Sequence, residues 1–304
     1  MLIRSALLLL SRQKWLRSWA ENSPIARRVT RRFVAGETLE EGLAVCARLN
    51  QKGILATLDH LGENVTSADE AAASRDAYLA ALDAIADRRL HATVSIKLTH
   101  FGLDFSEQAC REYVACVVRR ARETGNAVEI DMESSEYVGR TLRLVTDLHD
   151  AFGCVRAVIQ AYLRRSEADL RMLLDHRIPV RLCKGAYKEA AGIAFPRKAD
   201  VNASYLHLAR ILMAGGVYPA FATHDERMIG EIIRMAGERR MNPDGLEFQM
   251  LYGIRRSLQR RLAGQGFRMR LYVPYGVAWY PYLMRRLAER PANLLFLLKN
   301  LLRR

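Results

Sequence analysis

Eight short runs rich in β-branched and apolar residues, each followed by a longer stretch of helical periodicity, constrain this chain more than any other feature. The runs cover 54–58, 93–98, 127–132, 155–161, 179–183, 218–223, 246–251 and 268–273. Such alternation argues for parallel strands joined by crossover helices. Eight strand–helix pairs within about 220 residues suit a closed (β/α)8 barrel; an open doubly wound sheet is the other arrangement the pattern permits. Ser67 with Glu70, and Ser166 with Asp169, read as capping boxes that open two of the helices. Gly125, Gly153, Gly216 and Gly266 fall where helices should stop.

With 304 residues, half of them hydrophobic, the chain is long enough for one α/β barrel with a few added helices and a large core. We divide it into an N-terminal helical arm over 1–49 and a catalytic barrel over 50–304 that includes a C-terminal helix. No apolar run reaches the ~20 residues that a membrane-spanning helix needs. The first 33 residues nevertheless carry Arg4, Arg12, Lys14, Arg17, Arg27, Arg28, Arg31 and Arg32 against the single acid Glu21, interleaved with Leu2, Ile3, Trp15, Leu16 and Trp19. That pattern suits an amphipathic helix on an anionic bilayer, and equally a helix packed on the barrel. The run 294–304 is amphipathic too, and either closes the barrel or joins the membrane contact.

Five cysteines without a Cys-x-x-Cys, and histidines without ligand spacing, speak against a disulfide framework or a metal site and fit a reducing cytoplasm. The net charge of +14 favours an anionic partner: a membrane surface, nucleic acid or a phosphorylated cofactor. Nucleic acid is the weakest of these. The densest internal basic patch, Arg255, Arg256, Arg260 and Arg261, accompanies Ile254, Leu258 and Leu262 at helical spacing, so its arginines read as the solvent face of a packed helix.

In a barrel the carboxyl ends of the strands carry the chemistry. Here those ends hold Asp59 and His60, Lys97, Asp131, Gln160, Arg181 and Lys184, Thr223 and His224, Gln249, and Tyr272. A polar group at nearly every strand end points to an enzyme. No Gly-x-Gly-x-x-Gly follows the first strand, and no Walker loop, Gly-x-Ser-x-Gly or His-Glu-x-x-His is present, which disfavours a Rossmann-type cofactor site and the common hydrolase sites. Another barrel enzyme with a phosphorylated cofactor would also use Arg and Lys at strand ends.

Six segments together, in order, resemble the proline dehydrogenase family in its bacterial single-function form. They are Val94-Ser-Ile-Lys-Leu98, Ile130-Asp-Met-Glu133, Val158-Ile-Gln-Ala-Tyr-Leu163 and Val180-Arg-Leu-Cys-Lys-Gly-Ala-Tyr187, then Ala222-Thr-His-Asp225, and finally Leu271-Tyr-Val-Pro-Tyr-Gly276 with Tyr282-Leu-Met-Arg-Arg-Leu-Ala-Glu289. The resemblance implies a distorted (β/α)8 TIM barrel with extra N-terminal helices. It also implies FAD, oxidation of L-proline to Δ1-pyrroline-5-carboxylate, and electron transfer to a membrane quinone, with a separate pyrroline-5-carboxylate dehydrogenase taking the product. The expected place is the cytoplasm, peripheral on the inner face of the membrane. The bifunctional members of the family carry an added DNA-binding segment and a second dehydrogenase domain, for which 304 residues leave no room.

By that resemblance Asp131 and Arg181 are the catalytic pair, and Lys97, Tyr272, Tyr282, Arg285 and Arg286 bind the substrate. Met132, Gln160, Arg181, Lys184, Gly185, Ala186, Thr223 and His224 contact FAD, and Tyr187 lines the substrate side. The residues make chemical sense for this reaction. Proline is a zwitterion, and the forks of Arg285 and Arg286 suit its carboxylate; without the resemblance an Arg-Arg pair on a helix reads as a solvated face. Glu289 lies one turn from both arginines, where an ion pair could act as a gate. Lys97 and Asp131 end neighbouring strands ~4.8 Å apart, so they can meet at the rim, as a substrate-positioning pair or as a structural one. Asp59 and His60 receive no role, nor does the long loop between Lys188 and Asn202.

Overall fold

The computed structural model describes Ser23, residues 30–62 and residues 65–289, the side chains of 285–289 excepted. Most of the arm and all of the C-terminal run therefore lie outside the described residues. Within them, α1 (Leu39–Asn50) leads into β1 (Leu55–His60). There follow α2 (Ala68–Asp87), β2 (Ala92–Ile96), a 3-10 turn (Leu98–Phe101), α3 (Glu107–Glu123), β3 (Val128–Ile130), α4 (Val138–Phe152), β4 (Val155–Gln160) and α5 (Ser166–Asp175). The chain continues through β5 (Val180–Cys183), α6 (Lys198–Gly215), β6 (Ala220–Ala222), α7 (Glu226–Glu238), β7 (Glu247–Leu251), α8 (Arg256–Gly264), β8 (Arg268–Tyr275) and α9 (Trp279–Glu289).

All neighbouring strands pair in parallel, and β8 pairs with β1 from Leu55 opposite Arg270 to His60 opposite Tyr275. That closure makes the sheet a (β/α)8 barrel and removes the open doubly wound alternative. Strand residues alternate sides. One set, including Leu58, Val94, Ile96, Val128, Ile130, Phe221, Phe248 and Leu271, faces the helices. It packs with Leu82, Val114, Val145, Leu170, Leu208, Ile232 and Leu258 in one continuous core. Each such side chain fully buried contributes roughly 1.5–3 kcal/mol. Helix α1 adds Leu43, Val45 and Cys46 to the same core. The alternate set faces inward and is unusually charged. Thr57, Glu129, Arg156, Arg181, Glu247, Gln249 and Arg270 bond across the barrel to strands that are not their neighbours.

Local signals behaved unevenly. Ser67 accepts the Glu70 amide at 3.2 Å and caps α2, while the Glu70 carboxylate reaches the Thr66 amide at 2.6 Å instead of closing the box on Ser67. The box expected at Ser166 and Asp169 does not form. Ser166 Oγ donates to the Gln160 carbonyl at 2.6 Å, and Asp169 is taken by Arg165 at 2.7 and 2.9 Å. A true capping box, Thr38 with Glu41, opens α1 instead. Gly125, Gly153 and Gly266 do end helices with positive φ. Gly216 ends its helix too, as the C-cap of α6, but with φ −76°; a Cβ there would stand 2.4 Å from the Leu212 carbonyl oxygen.

Strands β2 and β3 are shorter than the sequence suggests, ending at Ile96 and Ile130. Lys97 and Asp131 therefore sit just beyond the ladder, although the Asp131 amide still bonds the Ile96 carbonyl at 2.8 Å. No helix among the described residues is long and apolar enough to cross a membrane. Helix α8 buries Leu258 and Leu262, with Ile254 buried just before it, and leaves Arg255, Arg256, Arg260 and Arg261 exposed, as its spacing requires.

Candidate active site

Four expected residues converge at the carboxyl-end mouth. Lys97 Nζ lies 2.5 Å from Asp131 Oδ2 and 3.2 Å from the Tyr272 hydroxyl. Tyr272 donates to the same Asp131 oxygen at 2.7 Å. The other carboxylate oxygen accepts from Ser95 Oγ at 2.8 Å and pairs with Arg181. The Arg181 guanidinium also lies 5.5 Å from the Tyr272 ring centroid, a cation–π distance. Lys97 and Asp131 stand just beyond the ends of β2 and β3, while Arg181 lies within β5 and Tyr272 within β8, so only barrel closure assembles them.

Electrostatics fixes their protonation. Burial disfavours a charged Asp131, but Lys97 and Arg181 outweigh it and hold the carboxyl well below the usual range. Burial likewise opposes the Arg181 charge, and Asp131 with Glu129 more than restores it. Tyr272 is pushed well above the ordinary phenol range by burial, then by Asp131 and Asp59, so its hydroxyl stays a neutral donor.

A second arc runs along the ends of β4, β5 and β6. Gln160 Nε2 donates to the Glu133 carbonyl at 2.8 Å. Lys184 Nζ is held by Asn202 at 2.7 Å and Asp225 at 3.0 Å. Thr223 Oγ1 accepts the Asp225 amide at 3.1 Å. His224 Nε2 accepts the Leu251 amide at 3.0 Å, which leaves Nδ1 as the protonated nitrogen of the neutral ring. Met132 is buried beside Asp131, and Ala186 and Tyr187 are exposed on the loop after β5. Gly185 has φ +99°, and a Cβ there would stand 2.1 Å from the Tyr162 ring, so only glycine admits this turn.

Residues of this arc could hold an anionic cofactor with a planar ring. The arc offers a permanent cation at Arg181, a second at Lys184, neutral hydrogen-bonding groups at Gln160, Thr223 and His224, and close-approach backbone at Gly185. Cations and donors beside the ring suit a cofactor that gains negative charge on reduction.

Tyr282 is buried in a separate cluster with Phe33, Leu61, Trp279, Tyr280 and Leu283, which seats α9. The backbone of α9 includes Arg285, Arg286 and Glu289, whose side chains lie outside the described residues. Reading the sequence missed the polar layer below the mouth: Glu129, Arg156, Glu247 and Arg270. A signal for it existed. Glu129, Glu247 and Arg270 each stand two positions before a rim residue, Asp131, Gln249 and Tyr272, and a strand puts such pairs on one face.

Fold and site together define a (β/α)8-barrel enzyme with a buried ionic centre at the catalytic mouth. The comparisons are more specific. The family model described as proline dehydrogenase matches residues 43–299. The chain is 40% identical over 303 residues to Proline dehydrogenase 1 of Bacillus subtilis (strain 168), covering 100% of both. It is 38% identical over 277 residues to Proline dehydrogenase of Deinococcus radiodurans, covering 90% of this chain and 89% of that one. The structure superposes with a TM-score of 0.81 and 28% identity on proline utilization A from Bdellovibrio bacteriovorus inactivated by N-propargylglycine, covering 87% of this chain but only 33% of that longer protein. The chain belongs to the proline dehydrogenase family.

Proposed function

We propose that this protein oxidises L-proline to Δ1-pyrroline-5-carboxylate with FAD and passes the electrons to a membrane quinone. The observation that carries this reading is the Lys97–Asp131–Arg181–Tyr272 centre at the mouth of a family barrel. Bound FAD supplies a two-electron acceptor, held by Met132, Gln160, Arg181, Lys184, Gly185, Ala186, Thr223 and His224. Lys97 attracts the substrate carboxylate, with Arg285 and Arg286 completing its recognition and Glu289 steadying them as a gate. Tyr272, Tyr282 and Tyr187 wall the ring of CH2 groups. Asp131 keeps Lys97 and Arg181 charged and oriented. Arg181 places a fixed positive charge where negative charge develops. From the zwitterion the ring nitrogen gives up one proton to water and the adjacent carbon gives up a hydride, which FAD would accept; this leaves the protonated C=N product, and release of its remaining N–H proton to water gives the neutral cyclic imine. The cyclic imine is then substrate for a separate dehydrogenase.

The purified protein should be yellow, and its flavin band should bleach when L-proline is added without oxygen. A yellow protein that stays oxidised would remove proline as substrate; a colourless one that FAD cannot reconstitute would remove the flavin.

The basic, apolar-studded arm supports peripheral binding to an anionic membrane, where a quinone is found. Co-sedimentation with anionic vesicles should be salt-sensitive and should weaken when residues 1–33 are deleted. Absence of sedimentation by either protein sinks this part.

A further inference from the structure

Two carboxylates from one strand region hold the two terminal nitrogens of Arg181. Asp131 takes one; Glu129, a layer deeper and with its side chain 1% exposed, takes the other at 3.2 Å. Gln249 closes the ring, accepting from Arg181 at 3.3 Å and donating to Glu129 at 3.2 Å. The far oxygen of Glu129 accepts from Thr57 at 2.9 Å and Thr93 at 3.2 Å, which anchors it to β1 and β2. A guanidinium paired with one carboxylate can pivot about that contact; ion-paired at both ends with different carboxylates, and donating to Gln249 from the end that faces Glu129, it is held in one plane.

We propose that Glu129 is a positioning residue for the reaction: it fixes the plane of Arg181 and moderates the positive charge that Arg181 presents to the reacting centre. This rests on the reading of Arg181 as lying beside bound flavin. Burial opposes the charge on Glu129, but Arg181, Arg156 and Arg270 outweigh burial and keep it ionised, so it is a standing negative charge inside the barrel. In this water-poor interior its removal is weakly screened. The mouth then becomes more positive, the reduced and more negative flavin is favoured, and the loosened Arg181 is less well aimed.

The test uses the flavin-loaded full chain, reading the midpoint potential of the bound flavin and kcat and KM for L-proline. Glu129→Gln should shift the oxidised-to-reduced equilibrium toward reduced by about tenfold, ~30 mV upward for a two-electron couple, and lower kcat. Glu129→Asp keeps the charge but withdraws it by one methylene. It should restore the parent potential while kcat stays low. Loss of thermal stability without a change in potential or kcat is what a purely structural Glu129 would give, and it overturns the proposal. Should Glu129→Gln not fold, Glu129→Asp decides: a parent kcat overturns the proposal. A parent protein that binds no flavin overturns this inference and the reading beneath it; a parent that bleaches with proline, with variants unchanged, overturns this inference alone.

Discussion

Replacing Asp131 by Asn should lower kcat/KM for L-proline by roughly 10²–10³-fold, with a smaller loss of Tm than replacing the fully buried Glu247 causes. Asp131 accepts from Ser95 and Tyr272 and pairs with both Lys97 and Arg181. An amide cannot balance two cations, and one of its two positions becomes a donor facing donors. Truncating one partner of a buried, hydrogen-bonded charge pair costs on the order of 2–5 kcal/mol, and each ~1.4 kcal/mol expressed in the transition state is about tenfold in rate. Steady-state kinetics beside a melting curve checks this. A variant within threefold of the parent would mean that Asp131 serves only packing. The direction of its shift adds a second check: a carboxyl held well below its usual range stays ionised at all working pH values, so the parent profile should show no acid limb from Asp131 between about pH 5 and 8.

Glu247→Gln should be the most destabilising of the conservative charge changes. Its carboxylate, 0% exposed, accepts from Arg156 at 2.8 Å, Arg270 at 2.9 Å, Gln249 at 2.8 Å and Tyr218 at 2.8 Å. Neutralising it leaves two buried guanidiniums without their main partner, a loss of about 3–5 kcal/mol. For a domain of this size that lowers Tm by on the order of 10 °C. Burial pushes the Glu247 carboxyl up, but Arg270 and Arg156 outweigh it and draw the group down to about 2. A folded value below the unfolded value of 4.5 means stabilisation that is complete above that value and lost as pH falls toward about 2. Glu129 is shifted in the same direction. Parent Tm should therefore drop steeply across that acid window, and the Glu247→Gln curve should be lower at neutral pH and flatter below. Superimposable Tm–pH curves would remove the layer from the stability account.

Much of the site was legible because the reaction end of a barrel is known once its strands are known. Lys97, Asp131, Arg181 and Tyr272 were all read as strand-end groups, and all four meet. The Lys97–Asp131 contact followed from adjacent strand order alone. What escaped was the layer beneath. Glu129, Arg156, Glu247 and Arg270 lie inside strands, where a charge looks like an interruption of an apolar run until its partner is known. The partners are distant in sequence: Arg156 to Glu247 spans 91 residues and Thr57 to Glu129 spans 72. Ser166 shows the opposite error. Its pattern with Asp169 is a good local signal, but the Gln160 carbonyl and Arg165 compete for the same groups and win.

The sequence by itself determined the alternation of strands and helices, which a closed barrel or an open doubly wound sheet would satisfy, and the polar groups that stand at the strand ends. Periodicity and strand order are local properties, written in consecutive residues. The tertiary structure alone decided which charges neutralise which inside the barrel, that Tyr272 remains a neutral donor, and that Arg181 is gripped from two layers. Those facts depend on distance and on exclusion of water, and both arise only when β8 closes against β1.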